Sequence, residues 1–139
     1  MASRGTFISA VFIFNKSGIP LVAQNYSNLK IDPVLISGFF NALMTLSEEW
    51  KLGEMKKISF ENKHFVLLRG NNIDIVVITG NAKIVDYITN SLTVLENRFY
   101  DKYAEIGYQN QDVKVYAEFK KEIDKYVSEL YELAKYIPL

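Results

Sequence analysis

Between Pro33 and Ser47 the chain carries no charged residue, although the run is long enough for about four helical turns. Asp32 before it is a favoured N-cap type, and Pro33 fits the first helical position, where a missing N–H costs nothing. Gly53 is the expected stop. An ordinary surface helix sets a charged stripe opposite its apolar one, so this pattern predicts a helix that is not half in water. Its large residues, Val34, Leu35, Ile36, Phe39, Phe40, Leu43, Met44, Leu46 and Trp50, cover more than half of the wheel. At about 100° per residue the remaining small, neutral residues, Ser37, Gly38, Asn41, Ala42 and Thr45, fall on one continuous face. The large face is expected to enter the core, with a gross burial gain on the order of 10 to 25 kcal/mol before chain entropy. The small face is expected to meet protein, either a helix of the same domain or a second chain. Ser, Asn and Thr would also suit water.

The rest of the chain reads as partners for this helix. Thr6 to Phe14 is rich in β-branched and aromatic residues, with Phe7, Val11 and Ile13 on one face and Ile8, Ala10, Phe12 and Phe14 on the other. A strand apolar on both faces is central and covered on both sides. Asn15-Lys16-Ser17-Gly18 is a turn, and Ile19 to Tyr26 returns as a second strand whose Pro20 belongs at an edge. After the helix, Glu54 to Glu61 reads as another edge strand blunted by Lys56 and Lys57. His64 to Arg69 follows, then Ile73 to Thr79, again a buried type. Placing the two most apolar strands in the middle gives a five-stranded antiparallel sheet of order 2-1-5-4-3.

Two helices close the chain. Asn81 can cap the first, whose stripe is Ile84, Ile88, Leu92, Leu95, Phe99 and Tyr103. In the second, Tyr116, Phe119, Ile123, Tyr126, Leu130, Leu133 and Ile137 oppose Glu118, Lys121, Glu122, Lys125 and Glu129, and Pro138 ends it. The spacing is heptad-like, but after a sheet it reads as a helix lying on a core. The class is α+β, a single domain over residues 1–139 with its core at about 6–137, one helix on one sheet face and two on the other.

Composition narrows the function. Lys plus Arg and Asp plus Glu balance at 16 each, without the basic excess of a nucleic-acid binder. With no cysteine, disulfides and thiolate chemistry are excluded and a reducing cytoplasm is the natural compartment. The opening apolar run is cut short by Asn15, Lys16 and Ser17, so it reads as a strand and not as a signal peptide. No segment approaches the roughly 20 apolar residues that span a bilayer. The sole histidine, His64, starts a strand with no metal-ligand or nucleophile partner in sequence. Asp74, within a buried-type strand, is the one odd carboxylate and is expected to meet solvent or a neighbouring Lys. Neither Gly70 nor Gly80 lies in a phosphate-binding pattern. No cofactor, metal or catalytic residue is expected. Lys56, Lys57, Lys63 and Arg69 suit edge protection, or contact with anionic lipid or an acidic protein surface.

The opening hairpin, an apolar strand followed by NKSG and IPLVAQ, then an apolar helix, a three-stranded meander and two helices, resembles the longin domain, a profilin-like fold related to the roadblock domain. The resemblance covers about Thr6 to Ile137. It favours longin over roadblock because only Met1 to Gly5 precede the first strand, where roadblock domains carry a helix. The resemblance implies a non-enzymatic interaction module that forms a homodimer, or a heterodimer with another longin or roadblock chain. It further implies a scaffold or regulator of a Ras-like small GTPase in membrane-traffic-like machinery, cytoplasmic and peripheral to membranes. Family members commonly pair through the first helix and a sheet edge, which agrees with the face of Ser37, Gly38, Asn41, Ala42 and Thr45. No family motif transfers a GTPase contact to a residue of this chain. The bias toward Ile, Lys, Asn and Tyr would suit an archaeal or other AT-rich source. The alternative is a small-molecule sensor of the PAS or profilin-like kind, with its cavity between sheet and helix. An enzyme would need a site that the sequence does not display.

Overall fold

A computed structural model describes residues 7–28 and 30–136. The strands are β1 (Ile8–Asn15), β2 (Pro20–Asn25), β3 (Lys57–Ser59), β4 (His64–Arg69) and β5 (Ile73–Thr79). The helices are α1 (Pro33–Glu49), α2 (Val85–Tyr103) and α3 (Phe119–Ala134), with short 3-10 turns at Ala82–Ile84 and Val113–Tyr116. All strand pairs are antiparallel and the order is β2-β1-β5-β4-β3, as the sequence pattern predicts. Thr6, Ile137, Pro138 and the segment Met1 to Gly5 lie outside the described residues.

β1 and β5 are central because both faces of each are apolar, and every residue of β1 is buried. On one sheet face α2 and α3 cover Phe7, Ile8, Val11, Ile13, Val66, Ile75 and Val77. On the other, α1 covers Ala10, Phe12, Phe14, Leu67, Val76 and Ile78. Ile8 was expected beside Ala10 but packs on the α2/α3 face. The register between β1 and β5 shifts between Ile8 and Ala10, and one extra residue reverses which face a side chain takes. β3 is confined to three residues, shorter than the segment Glu54 to Glu61 suggested.

The two cores are built differently. Ile84, Ile88, Leu92, Leu95, Phe99 and Tyr103 are all buried, as their spacing requires. So are Tyr116, Phe119, Ile123, Tyr126 and Leu130, whereas Leu133 is 43% exposed. Phe99 lies 4.8 Å from Tyr103, 5.6 Å from Tyr116 and 4.9 Å from Phe119, ring centre to ring centre. Gln24 Nε2 donates to Asp124 Oδ1 at 2.7 Å, fastening β2 to α3. Gly70 is required by close approach: a Cβ there would meet Glu96 Oε2 at 2.0 Å and the Ile73 carbonyl at 2.7 Å.

α1 begins as read, with the Asp32 carboxylate accepting from the Val34 N–H at 2.9 Å and Pro33 in the first turn. It does not stop at Gly53. Lys51, at φ +54°, is the left-handed residue: its N–H reaches the Glu48 carbonyl and the Leu52 N–H reaches Ser47, which closes the helix end. Gly53 lies beyond, and its carbonyl accepts from Ser47 Oγ at 2.6 Å.

Candidate functional site

The NKSG turn sets α1 on the sheet. Asn15 Oδ1 accepts from the N–H groups of Ser17 and Ile19, both at 3.0 Å, and Gly18 adopts φ +82°. That brings the Gly18 carbonyl to Ser37 Oγ, which donates to it at 2.6 Å. A Cβ at Gly18 would lie 2.8 Å from Ser37 Oγ and 2.9 Å from Asn41 Nδ2, so only glycine lets the turn lie this close. Beside it, Lys16 Nζ meets Asp74 Oδ1 at 2.6 Å, the lysine contact expected of that carboxylate.

Docked in this way, α1 buries only Ser37, Phe40 and Met44 fully. The expectation that its large residues enter the core is therefore corrected. Val34 and Leu35 are 65% and 71% exposed, Phe39 is 43% exposed and Trp50 64% exposed. The reason is geometric: a single sheet face contacts less than half of a helix, and the apolar sector of α1 is wider than that. The large burial gain assigned to nine side chains does not apply within the monomer.

Of the five small residues, Gly38, Asn41, Ala42 and Thr45 are exposed together, while Ser37 turns inward to the hairpin. Thr45 Oγ1 donates to its own helix at the Asn41 carbonyl, 2.9 Å away. The outer face of α1 is thus centred on Ala42. Leu35, Phe39 and half-buried Leu46 lie along one side of it, and Gly38, Thr45 and Val34 along the other. Leu35, Phe39 and Leu46 were read as core; their signal was an uncharged wheel too apolar all round for one sheet contact. Gly38 has ordinary helical geometry and nothing within 4 Å of where a Cβ would stand. A mid-helix glycine costs roughly 0.5 to 1 kcal/mol relative to alanine, and nothing within the described residues explains it.

The apolar surface runs on toward β3. Phe39 touches Phe40, Phe40 lies tilted at 6.0 Å from Phe65, and Phe65 stands 5.5 Å from Phe60, which is 52% exposed in the β3–β4 turn. Lys56 and Lys57 are exposed at this edge, whereas Lys63 turns in and donates to Ser9 Oγ at 2.6 Å. Arg69 faces Glu48 at 3.3 Å. His64 Nδ1 lies 2.9 Å from Ser59 Oγ across the β3–β4 pair.

Elsewhere the chemistry is that of packing. Among the described residues no group of three or more His, Cys, Asp or Glu is placed to hold a metal ion. Burial pushes the Tyr126 hydroxyl up to about 12, with Ser91 Oγ at 2.6 Å opposing the shift. Tyr100 and Tyr103 are also raised, by burial first. All three lie on α2 and α3, away from α1. The cavity between α1 and the sheet, lined by Phe14, Ser37, Phe40, Met44 and Leu67, measures about 20 Å³, room for a single water. Among the described residues no helix is long and apolar enough to cross a membrane.

No protein-family model matches the sequence, and no curated protein resembles it significantly. Solved structures do. A chain in the structure of the mammalian SRP receptor matches with a TM-score of 0.58 at 16% identity, covering 93% of this chain and 98% of that one. The roadblock/LC7 domain from Streptomyces avermitilis gives 0.49 at 12% identity, and MglB of Myxococcus xanthus 0.47 at 17%; each match covers 66% of this chain and 85% of the other. At these identities the likeness is one of fold. With the observed strand order and helix layers, the fold is of the longin/roadblock type.

Proposed function

We propose that this chain, as one longin-type domain over about residues 6–137, is a non-enzymatic interaction module. It pairs through the outer face of α1 and serves as scaffold or regulator for a Ras-like small GTPase. The observation that carries the reading is an exposed helix face with large apolar side chains and no charge from Pro33 to Ser47. A monomer in water has no use for such a face, whereas a protein interface needs an apolar, charge-poor centre. The GTPase part rests on the resemblance to longin domains, whose members regulate such switches at membranes. The basic edge of Lys56 and Lys57 suits an acidic partner surface or peripheral contact with anionic lipid.

A metabolite sensor is the weaker reading, because a void of about 20 Å³ under α1 admits no small molecule without repacking.

Light scattering across a hundredfold concentration range, with and without a longin or GTPase partner from the same source, tests the proposal. Ala42→Glu is expected to keep the fold, since Ala42 is exposed, and to abolish assembly. Assembly unchanged by Ala42→Glu would overturn the α1 surface.

A further inference from the structure

The geometry points to a second interaction surface, at the outer edge of β2: a groove that takes an extended, acidic segment of a partner protein, added to the sheet beside Ala23. It involves no residue of α1 and does not rest on the pairing reading above. The groove measures about 270 Å³ and is lined by Pro20 to Ala23 on one side and by Val113, Lys114, Ala117 and Lys120 on the other. Pro20 and Ala23 oppose Phe14 and Phe12 and share the sheet face that α1 covers, whereas Leu21 and Val22 pack in the α2/α3 core. A groove that touches residues of both faces runs along the edge of a strand and not over a face. β2 is the last strand on its side of the sheet, so no strand lies beyond that edge.

The ladder fixes what this edge offers. The Tyr26 N–H donates to the Ser9 carbonyl at 2.8 Å, and the register of β1 against β2 then runs without a slip to Ile13 and Val22. Bonded and non-bonded pairs alternate in an antiparallel ladder, so Gln24 and Val22 turn their N–H and C=O groups to β1, and Ala23 turns both of its own outward. Pro20 opposes Phe14 on the far side of the bulge and has no N–H to give. Proline and bulge together deny a long pairing to a chance strand, and the donor and acceptor side by side in the groove are those of Ala23.

Charge selects the occupant. Two lysines and no carboxylate line the groove, and neither Lys114 nor Lys120 has an ion pair among the described residues. The carboxylates around it are engaged elsewhere. Asp112 accepts from the Lys114 N–H at 3.2 Å, Glu118 faces Lys102 at 3.5 Å, and Asp124 accepts from Gln24 Nε2 at 2.7 Å and from the Tyr26 hydroxyl. A segment with carboxylates at alternate positions turns them all toward α3, where they meet both lysines while the backbone bonds to Ala23. Main-chain bonds then supply the attachment and the two lysines the choice of partner.

The test uses the full chain and a short fluorescein-labelled peptide alternating glutamate and threonine, with a lysine–threonine peptide as control, followed by fluorescence polarisation. The acidic peptide is expected to bind about tenfold or more tightly than the basic one, and to weaken about tenfold between roughly 20 and 200 mM salt. Lys114→Glu combined with Lys120→Glu, both exposed positions, is expected to keep the parent's circular dichroism and to reverse the preference. Amide exchange by NMR locates the strand: the Ala23 N–H should exchange freely in the peptide-free monomer and slow at saturating acidic peptide, with Val22 and Gln24 protected in both. An acidic peptide that binds no better than the basic one, or binds the double variant equally well, overturns the groove as an acidic site. Binding that leaves the Ala23 amide unprotected overturns the strand addition. An Ala23 amide that becomes protected as the peptide-free protein is concentrated gives the edge to a second copy and overturns the acidic segment as its occupant. Ala42→Glu is expected to change none of these readings, so failure at β2 and failure of the α1 surface are told apart.

Discussion

The two faces of the sheet solve the same problem to different extents. On one, α2 and α3 bring a continuous stripe of Ile, Leu, Phe and Tyr into contact with the strands and present Glu118, Lys121, Lys125 and Glu129 to water. On the other, α1 commits Phe40 and Met44 to the sheet, with Ser37 held by the hairpin, and presents Leu35, Phe39 and Ala42 outward. The first face has a charged outer layer, whereas on the second α1 carries charge only in its last turn, at Glu48 and Glu49. What the difference teaches is that one sheet face covers less than half of a helix, so a helix apolar nearly all round leaves large side chains such as Leu35 and Phe39 exposed in the monomer.

The contrast breaks most sharply on a pair of phenylalanines. Phe99 is fully buried and packs against four other rings, so Phe99→Ala should cost about 3 to 5 kcal/mol by chemical denaturation. Phe39→Ala, which loses a half-exposed ring resting edge-on against Phe40, should cost the monomer only about 1 kcal/mol. Comparable losses from both substitutions in the dilute monomer would mean that the α1 side is as closed as the other.

A smaller effect, confined to the α2/α3 side, comes from pH. Tyr126 ionises near 10 when unfolded and at about 12 when folded. Its folded-state pKa is raised, so the stability tied to its protonated form is fully present below pH 10 and is lost as pH rises from 10 through about 12. Two units correspond to about 2 to 3 kcal/mol. Tyr126→Phe should flatten that part of the alkaline stability profile relative to the parent. Superimposable profiles from urea melts between pH 9 and 12 would show that burial of this hydroxyl is not what holds its proton.

How much of this was legible in the sequence follows the range of the interactions. Strand order was legible because Pro20 and the Lys56–Lys57 pair mark edges and the runs around Val11 and Val76 mark the centre. The α2 stripe was legible because 3.6-residue periodicity with charges opposite it has one reading. The face of Ile8 was not, since a single bulge at Ser9 reverses it without altering composition. Nor could periodicity divide α1: an uncharged wheel does not say which of its sides meets the sheet, and Val34, Leu35 and Phe39 stay exposed. Ser37 was grouped with Gly38 and Ala42 by angle, and left that face because of a hydrogen bond to Gly18, nineteen residues away. Lys63 looked like an edge charge and proved to be a donor to buried Ser9.

The smallest of these effects concerns the end of α1. A glycine at position 53 drew attention as the stop, but the left-handed position is taken by Lys51, a residue with a Cβ. Left-handed conformation costs an L-residue about 1 to 2 kcal/mol where glycine pays almost nothing, so Lys51→Gly should relieve strain. Glycine also has more freedom to lose on folding, which returns part of that gain. The net expectation is a monomer more stable by up to about 1 kcal/mol, a rise of several degrees in melting temperature at most. A melting temperature unchanged or lowered by Lys51→Gly would mean that the left-handed turn is held without net strain, its closure resting on the Lys51 and Leu52 N–H bonds to Glu48 and Ser47.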